Sequence, residues 1–149
     1  MEILIEDSLI RQLEELYAIE KQCFKEEAFS KQQIAYLLTD YNSISLTAKY
    51  AGKVAGFIIG QIEAEGSTLV GHIITIDVLP AYRRKGVAQK FLQKTEALFR
   101  GRGIRECRLE VRVDNEAALA LYGKLGYEKV AHLEHYYRTA HGWCLRKLL

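Results

Sequence analysis

Apolar residues recur along this chain with two different spacings, and the change of spacing separates helices from strands. From Leu9 to Phe24 they return at nearly every third or fourth position, which predicts an amphipathic helix that begins at Asp7 or Ser8. A second short helix is expected after Ser30, because serine is a favourable N-cap. The N-terminal part of the chain is therefore predicted to be mainly helical.

The remaining pattern alternates between strands and helices. SISLTAKYAGKVAGFIIGQIEAEG contains two β-rich runs around the hairpin signal at 51–53, and TLVGHIITIDVL follows as a third run. Residues 2–5 are predicted to form a first strand. After the third run we expect a helix over 86–102, the strand IRECRLEVRV, the helix NEAALALYGKLGY, and two strands around a turn at 139–142. The predicted order is βααβββαβαββ. It indicates an α/β (α+β) fold with a mixed sheet of about seven strands, one locally parallel pair over 73–113, and about four helices.

Composition narrows the class of protein. The chain has 149 residues, of which 49% are hydrophobic, and 21 basic against 19 acidic side chains give a net charge of +2. We therefore expect a single domain over residues 1–149 without a nucleic-acid-binding face. The cysteines at 23, 107 and 144 form no CxxC pair, which is typical of reduced thiols in a cytoplasmic protein. The N-terminal stretch predicts neither a signal peptide nor a membrane span, and the four histidines show no metal-ligand spacing.

The stretch IDVLPAYRRKGVAQKF places three consecutive cations and a glycine at the start of a helix. Cations are unfavourable there, because the helix dipole is already positive at its N-terminus. The first helical amides also have no partner within the helix, so a bound anion would account for both features. A solvated basic turn is the alternative, since neither GxxxxGK[ST] nor GxGxxG is present. The residues that could hold the anion are Arg83, Arg84, Lys85, Gly86, Val87, Ala88 and Gln89.

RRKGVA fits the pattern Q/R-x-x-G-x-G/A, and together with HIITIDVLP it resembles the coenzyme A signature of the GNAT N-acetyltransferase superfamily. RLEVRVDNEAALALYGKLGY is similar to the matching strand and helix of RimI-type protein N-acetyltransferases, and IEKQCFKEEAFS resembles their N-terminal helix. The resemblance implies the GNAT fold, with a splayed parallel strand pair, and acetyl-CoA as cofactor. Residues 83–89 would then hold the pyrophosphate, although Ala88 stands where many relatives have glycine, and Asn115 would lie beside the pantetheine arm. The strand residues that would offer backbone hydrogen bonds to pantetheine are Ile76, Asp77 and Val78.

The resemblance also implies catalytic roles. In RimI-type enzymes the glutamate of LEVR, here Glu110, is the general base, whereas a solvated strand carboxylate is the alternative reading. Tyr122 corresponds to the tyrosine that protonates the departing thiolate, and a phenol pKa near 10 suits that role, although core packing would also explain it. His72 occupies a strand position that holds a base in other branches, so we expect either an accessory base or a structural histidine. The side chain of Asp77 could face the cofactor or lie at a sheet edge.

The acceptor implied by the resemblance is the α-amine of a protein N-terminus. Peptide contacts would come from the loop between the first two helices and from the last hairpin, unless their aromatic residues pack in the core; these residues are Phe24, Phe29, Tyr136 and Tyr137. The chain departs from its relatives in both segments, with HYYRTAHGWCL in place of an acidic turn and AFS in place of PWS. A small-amine or lysine side-chain acetyltransferase and a non-catalytic acyl-CoA-binding domain therefore stay open. Both monomers and dimers occur in the family.

Overall fold

The computed structural model describes residues 2–149. Its strands are β1 (Ile3–Asp7), β2 (Ser43–Tyr50), β3 (Lys53–Glu65), β4 (Thr68–Val78), β5 (Glu106–Arg112), β6 (Glu128–Tyr137) and β7 (Ala140–Leu148). Its α-helices are α1 (Leu13–Phe24), α2 (Lys31–Thr39), α3 (Val87–Gly101) and α4 (Glu116–Lys124). Over the described residues the strands form one seven-stranded sheet in the order β1-β2-β3-β4-β5-β7-β6. This confirms the predicted element order and mixed sheet. No helix within residues 2–149 is long and apolar enough to cross a membrane.

The first helix begins later than its pattern predicts. β1 continues to Asp7, and the hydroxyl of Ser8 lies 2.7 Å from that of Thr47 on β2. A serine bound to the sheet in this way does not cap a helix, so a short 3-10 turn intervenes and α1 starts at Leu13. Ser30 does cap α2 as predicted, because its Oγ accepts the N–H of the third helical residue at 3.1 Å.

The last hairpin is tighter than predicted. Tyr137 of β6 pairs with Ala140 of β7, so 138–139 form the turn, whereas the sequence pattern placed it at 139–142. The register of the two strands shifts just before Tyr137, and His135 in this segment has a φ of +50°. An irregularity of this kind changes the direction of neighbouring side chains on the strand.

Packing divides the chain into two compact units. The first contains the residues up to Gln61 and Ile74–Thr95, and the second contains Ile62–Ile73 and Glu96–Leu149. The first unit has a buried apolar cluster from α1, α2 and β3, which consists of Leu16, Ile19, Ile34, Leu37, Phe57 and Ile59. The second unit buries apolar residues of β5, β7 and the end of α3, including Phe99, Cys107, Leu109, Val111 and Leu145. The single domain predicted over residues 1–149 stays a prediction.

The predicted parallel pair lies in the second unit. β4 pairs with β5 through Gly71 with Cys107 and His72 with Arg108. Gly71 is required by close packing, because a Cβ there would lie 2.5 Å from ring carbons of Phe99. This pairing holds His72 beside β5, the strand that carries the predicted base.

Two carboxyl groups are buried in the first unit. Glu20 of α1 and Asp77 of β4 are 1% and 0% exposed. The hydroxyl of Thr75 lies 2.9 Å from Oε1 of Glu20 and 2.7 Å from Oδ1 of Asp77. Burial and the adjacent Glu20 carboxyl raise the pKa of Asp77 well above its ordinary range. The side chain of Asp77 is therefore an interior group whose protonated form is favoured by its surroundings, and it is not an edge carboxylate.

Asp77→Asn is expected to flatten the pH dependence of stability. In wild type the unfolded chain loses the Asp77 proton above about pH 4 whereas the folded chain keeps it to a higher pH, so the free energy of unfolding falls as pH rises between the unfolded and folded pKa values of Asp77. Asparagine resembles the protonated acid and has no such proton to lose. We expect a Tm at pH 8 that is higher than wild type by at least about 2–4 °C, the shift that 1 kcal/mol produces in a chain of this size.

Thermal unfolding of wild type and Asp77→Asn at pH 5 and pH 8 measures this effect. Asp7→Asn is the matched control, since Asp7 is exposed. An equally steep fall in Tm for wild type and Asp77→Asn would contradict the assignment of a buried proton to this pair.

Candidate active site

Three ionisable side chains of the second unit form a chain of hydrogen bonds across three strands. His72 of β4 lies in the middle, with Nε2 2.7 Å from Oε1 of Glu110 on β5 and Nδ1 3.0 Å from Oε2 of Glu63 on β3. The side chains of His72 and Glu110 are 22% and 20% exposed, and that of Glu63 is 40% exposed. The structure thus brings together two residues that the sequence predicts to be catalytic, and adds a third carboxylate.

The two carboxylates determine the charge on His72. Burial alone would lower the pKa of the imidazole, but the hydrogen bonds and negative charges of Glu110 and Glu63 outweigh it and raise the pKa from 6.5 to about 9. Near neutral pH both ring nitrogens therefore carry a proton, and each N–H donates to a carboxylate. Once that extra proton is lost, the His72–Glu110 pair can accept one from a neighbouring group. Its acid form has a pKa within about one unit of that of a free α-amine.

Two further side chains border Glu110. Cys144 of β7 is its cross-strand partner. Burial together with the negative charge of the Glu110 carboxylate raises the pKa of the Tyr136 phenol on β6. The Tyr136 residue is nevertheless 52% exposed, and its ring meets that of Tyr137 edge to face at 4.9 Å. Tyr136 therefore presents an aromatic surface beside the carboxylate, while Tyr137 packs against the guanidinium of Arg112, 5.8 Å from the ring centre.

Charged side chains of both signs surround this pair. Arg108 precedes Glu110 by two residues on β5 and therefore points to the same face. Its guanidinium is bound by Glu65, with Nη2 2.6 Å from Oε1, and by Glu106. Arg146 of β7 lies opposite Arg108 on the same face, so the two carboxylates are matched by two cations.

In the first unit, the N-terminus of α3 has the features of an anion site. Lys90 donates its N–H to the carbonyl of Gly86 at 3.0 Å, so Gly86 immediately precedes the first turn. The amides of the following residues, 87–89, have no partner within the helix. Gly86 has a φ of +80°, and a Cβ at this position would meet no heavy atom within 4 Å. The loop is thus open to a close approach by a phosphate group.

The predicted cations of this loop differ in their surroundings. Arg83 donates its Nε–H to the carbonyl of Val78 at 2.8 Å, so its guanidinium is held at the end of β4. The thiol of Cys23 donates to the same carbonyl at 3.6 Å, so this oxygen has two donors within the protein. Arg84 has a φ of +62°, a conformation that costs a residue with a side chain about 1–2 kcal/mol. Strain of this kind is concentrated at ligand clamps.

Helix α4 carries the other two predicted residues of the second unit. The Oδ1 of Asn115 accepts the N–H of Ala118 at 3.2 Å and caps the helix, which leaves the side-chain NH₂ as the group that can donate to a ligand. Tyr122 follows seven residues later, two turns along the same face. It is partly buried, and its ring meets Tyr127 edge to face at 6.0 Å. Tyr127 is itself fixed by a 2.8 Å hydrogen bond from its hydroxyl to Glu96.

The predicted acceptor residues of the first unit have different environments. Phe24 ends α1 and is 37% exposed. Phe29 packs against the buried cluster of α1 and α2, and its backbone N–H donates to Oε2 of Glu20 at 3.0 Å. Core packing therefore accounts for the position of the Phe29 side chain, whereas the ring of Phe24 is partly exposed.

Glu63 is the residue of the site that the sequence analysis missed. Gln61, Glu63 and Glu65 alternate with apolar residues at the end of β3, so their side chains share one face of the strand. This polar face lies one hairpin turn before His72, the histidine of β4. In an antiparallel hairpin such residues can meet across the strands, so the pattern indicates a candidate partner for His72.

Comparison with known proteins agrees with this arrangement. The profile of the acetyltransferase (GNAT) family matches residues 10–127. An N-alpha-acetyltransferase of Sulfurisphaera tokodaii is 39% identical over 109 residues, which are 67% of this chain and 65% of that protein. N-alpha-acetyltransferase 30 of Schizosaccharomyces pombe is 32% identical over 112 residues, covering 74% and 75% of the two chains. This chain therefore belongs to the acetyltransferase (GNAT) family, which confirms the resemblance seen in its sequence.

A solved structure supports the same fold. The crystal structure of the ribosomal-protein-S18-alanine N-acetyltransferase from Escherichia coli matches with a TM-score of 0.88 over 99% of this chain and 94% of that one. The two sequences are 24% identical, so this likeness concerns the fold. The GNAT fold predicted from the sequence is confirmed.

Proposed function

We propose that this protein transfers an acetyl group from acetyl-CoA to the α-amine of a protein or peptide N-terminus. Bound acetyl-CoA supplies an activated thioester. The reaction forms a bond between the amine nitrogen and the acetyl carbon and breaks the carbon–sulfur bond. One proton must leave the amine, and one must reach the departing thiolate. The two relatives with the matches described above are both named N-alpha-acetyltransferases, which supports this choice.

The loop before α3 is the proposed binding site for the pyrophosphate. Its open glycine at φ +80° and the unpartnered amides of the first turn fit a dianionic group. Arg84 and Lys85 add positive charge. We further propose that the backbone of 76–78 and the side-chain NH₂ of Asn115 contact the pantetheine arm.

The observation that carries the proposal is the contact between His72 and Glu110. The pair releases its proton with a pKa of about 9, and an N-terminal ammonium has a pKa near 8, so proton transfer from the α-amine to the pair is favourable by about one unit. For a lysine ammonium, with a pKa near 10.4, the same transfer is unfavourable by more than about one unit. The pair is therefore matched to an α-amine. Tyr122 is the proposed proton donor to the thiolate.

In the second unit, the exposed ring of Tyr136 beside Glu110 is a proposed contact for the acceptor peptide, and in the first unit the exposed ring of Phe24 is another. Tyr137, whose ring packs against Tyr136, and the partly buried Phe29 are also proposed to line the peptide-binding surface of their own units. A cytoplasmic location and a monomeric or dimeric state stay predictions from the sequence.

A peptide library with free N-termini and one internal lysine tests the acceptor. We expect acetyl-CoA consumption with acetylation at the α-amine, at a kcat/KM about 10²-fold above that of the lysine at pH 8, the ratio set by the two amine pKa values. Mass spectrometry of the fragments locates the acetyl group. The same peptides with a blocked N-terminus are the control. Faster acetylation of polyamines or of lysine, or tight acetyl-CoA binding without any transfer, would contradict the proposal.

A further inference from the structure

Glu63 lies at the far end of the hydrogen-bonded chain from the proposed base. Its Oε2 is 3.0 Å from Nδ1 of His72, while the opposite ring nitrogen faces Glu110. The side chain of Glu63 is 40% exposed, twice the exposure of Glu110. Nothing in the proposed chemistry requires Glu63 to touch the amine or the thioester.

We infer that Glu63 is a positioning residue, whose carboxylate holds the Nδ1–H of His72 and so directs Nε2 at Glu110. The inference rests on the proposed function of the His72–Glu110 pair. An imidazole held at one nitrogen by a carboxylate has a fixed ring orientation. The Nε2 of His72 then stays against Glu110, so a proton that Glu110 takes from the amine is shared with the ring.

Glu63 also contributes to the charge that sets the working pH range of the pair. The titratable and charged groups around His72 and its partner are Glu63 from β3, Arg108 and Glu110 from β5, Tyr136 from β6, and Cys144 and Arg146 from β7. Arg108 is compensated by Glu65 and Glu106. The pKa of His72 is raised chiefly by Glu110 and next by Glu63. Removal of the Glu63 charge therefore lowers it.

Two substitutions of Glu63 separate orientation from charge. Glu63→Gln retains an acceptor for Nδ1–H without the charge, so the acidic limb of the kcat/KM–pH profile is expected to move from near pH 9 to lower pH by about one unit. The maximal kcat should change less than about threefold, because the orientation is kept. Glu63→Leu removes both contributions and is expected to lower kcat about tenfold or more with unchanged acetyl-CoA affinity. Glu65→Gln is the matched control, two residues along the same face and bound to Arg108 instead.

NMR of the imidazole nitrogens tests the inference independently of acetyl transfer. With the His72 signal assigned by its loss in His72→Asn, the protonated ring of wild type should show an Nδ1–H proton with the downfield shift of a hydrogen bond to a carboxylate, and Glu63→Leu should lose that shift. An unchanged titration and an unchanged Nδ1–H shift in both Glu63 variants would overturn the positioning role, whatever the enzyme acetylates. A normal NMR response in a protein that acetylates no amine would instead count against the proposed function alone.

Discussion

Glu110→Gln is expected to lower kcat/KM for peptide acetylation by about 10²–10⁴-fold, the range typical of a lost general base. Glutamine has nearly the same shape as glutamate, but its amide does not accept a proton near neutral pH. The 2.7 Å contact with Nε2 of His72 would persist as a neutral hydrogen bond. The loss should therefore come from proton transfer and not from a rearranged sheet.

Steady-state kinetics with an N-terminal peptide measures this loss, and calorimetric titration of acetyl-CoA separates it from binding. We expect the Kd of acetyl-CoA to change by less than about twofold, because the carboxylate has no proposed role in holding the pyrophosphate. Glu106→Gln is the matched control, four residues earlier on the same face of β5 and bound to Arg108. A fall of less than about threefold in kcat/KM for Glu110→Gln would rule out Glu110 as the base.

The order of elements was predictable because each element has one dominant signal. Ser30 forms a complete capping box with Gln33, and the apolar residues of α1 and α2 repeat with helical spacing. The start of α1 was not predictable in this way. Asp7 and Ser8 are good caps in isolation, but the pairing of β1 with β2 uses these residues first. The local preference of Asp7 and Ser8 for a helix cap was overridden by their pairing with β2, which lies far along the sequence.

The candidate site was predictable only in part, for a related reason. The residues Glu110 and Tyr122 lie in motifs of adjacent residues, and so does the loop of Gly86. The partners that tune them come from other strands: Glu63 and His72 meet across nine residues, and His72 and Glu110 across 38. The same holds for Asp77, whose pKa is raised by burial and by the Glu20 carboxyl of α1. Sequence motifs locate reactive groups, whereas tertiary contacts set their charge.

Gly86→Glu is expected to abolish acetyl-CoA binding, with a rise in Kd of at least about 10²-fold. A carboxylate at this position would add negative charge where the pyrophosphate is proposed to bind, and its Cβ would occupy the open space in front of the amides of α3. The substitution also forces a side chain into φ +80°, which is a separate cost to stability.

Gly52→Glu isolates that cost, because Gly52 also has a φ of +80° and no heavy atom within 4 Å of a Cβ, but lies in the β2–β3 turn. Both variants should therefore lose similar Tm, while only Gly86→Glu should lose acetyl-CoA affinity in calorimetric titration. Equal affinity in the two variants would refute the pyrophosphate loop. The cations at 83–85 would then form a solvated basic turn. In that case water alone would offset their unfavourable position at the positive end of the α3 dipole.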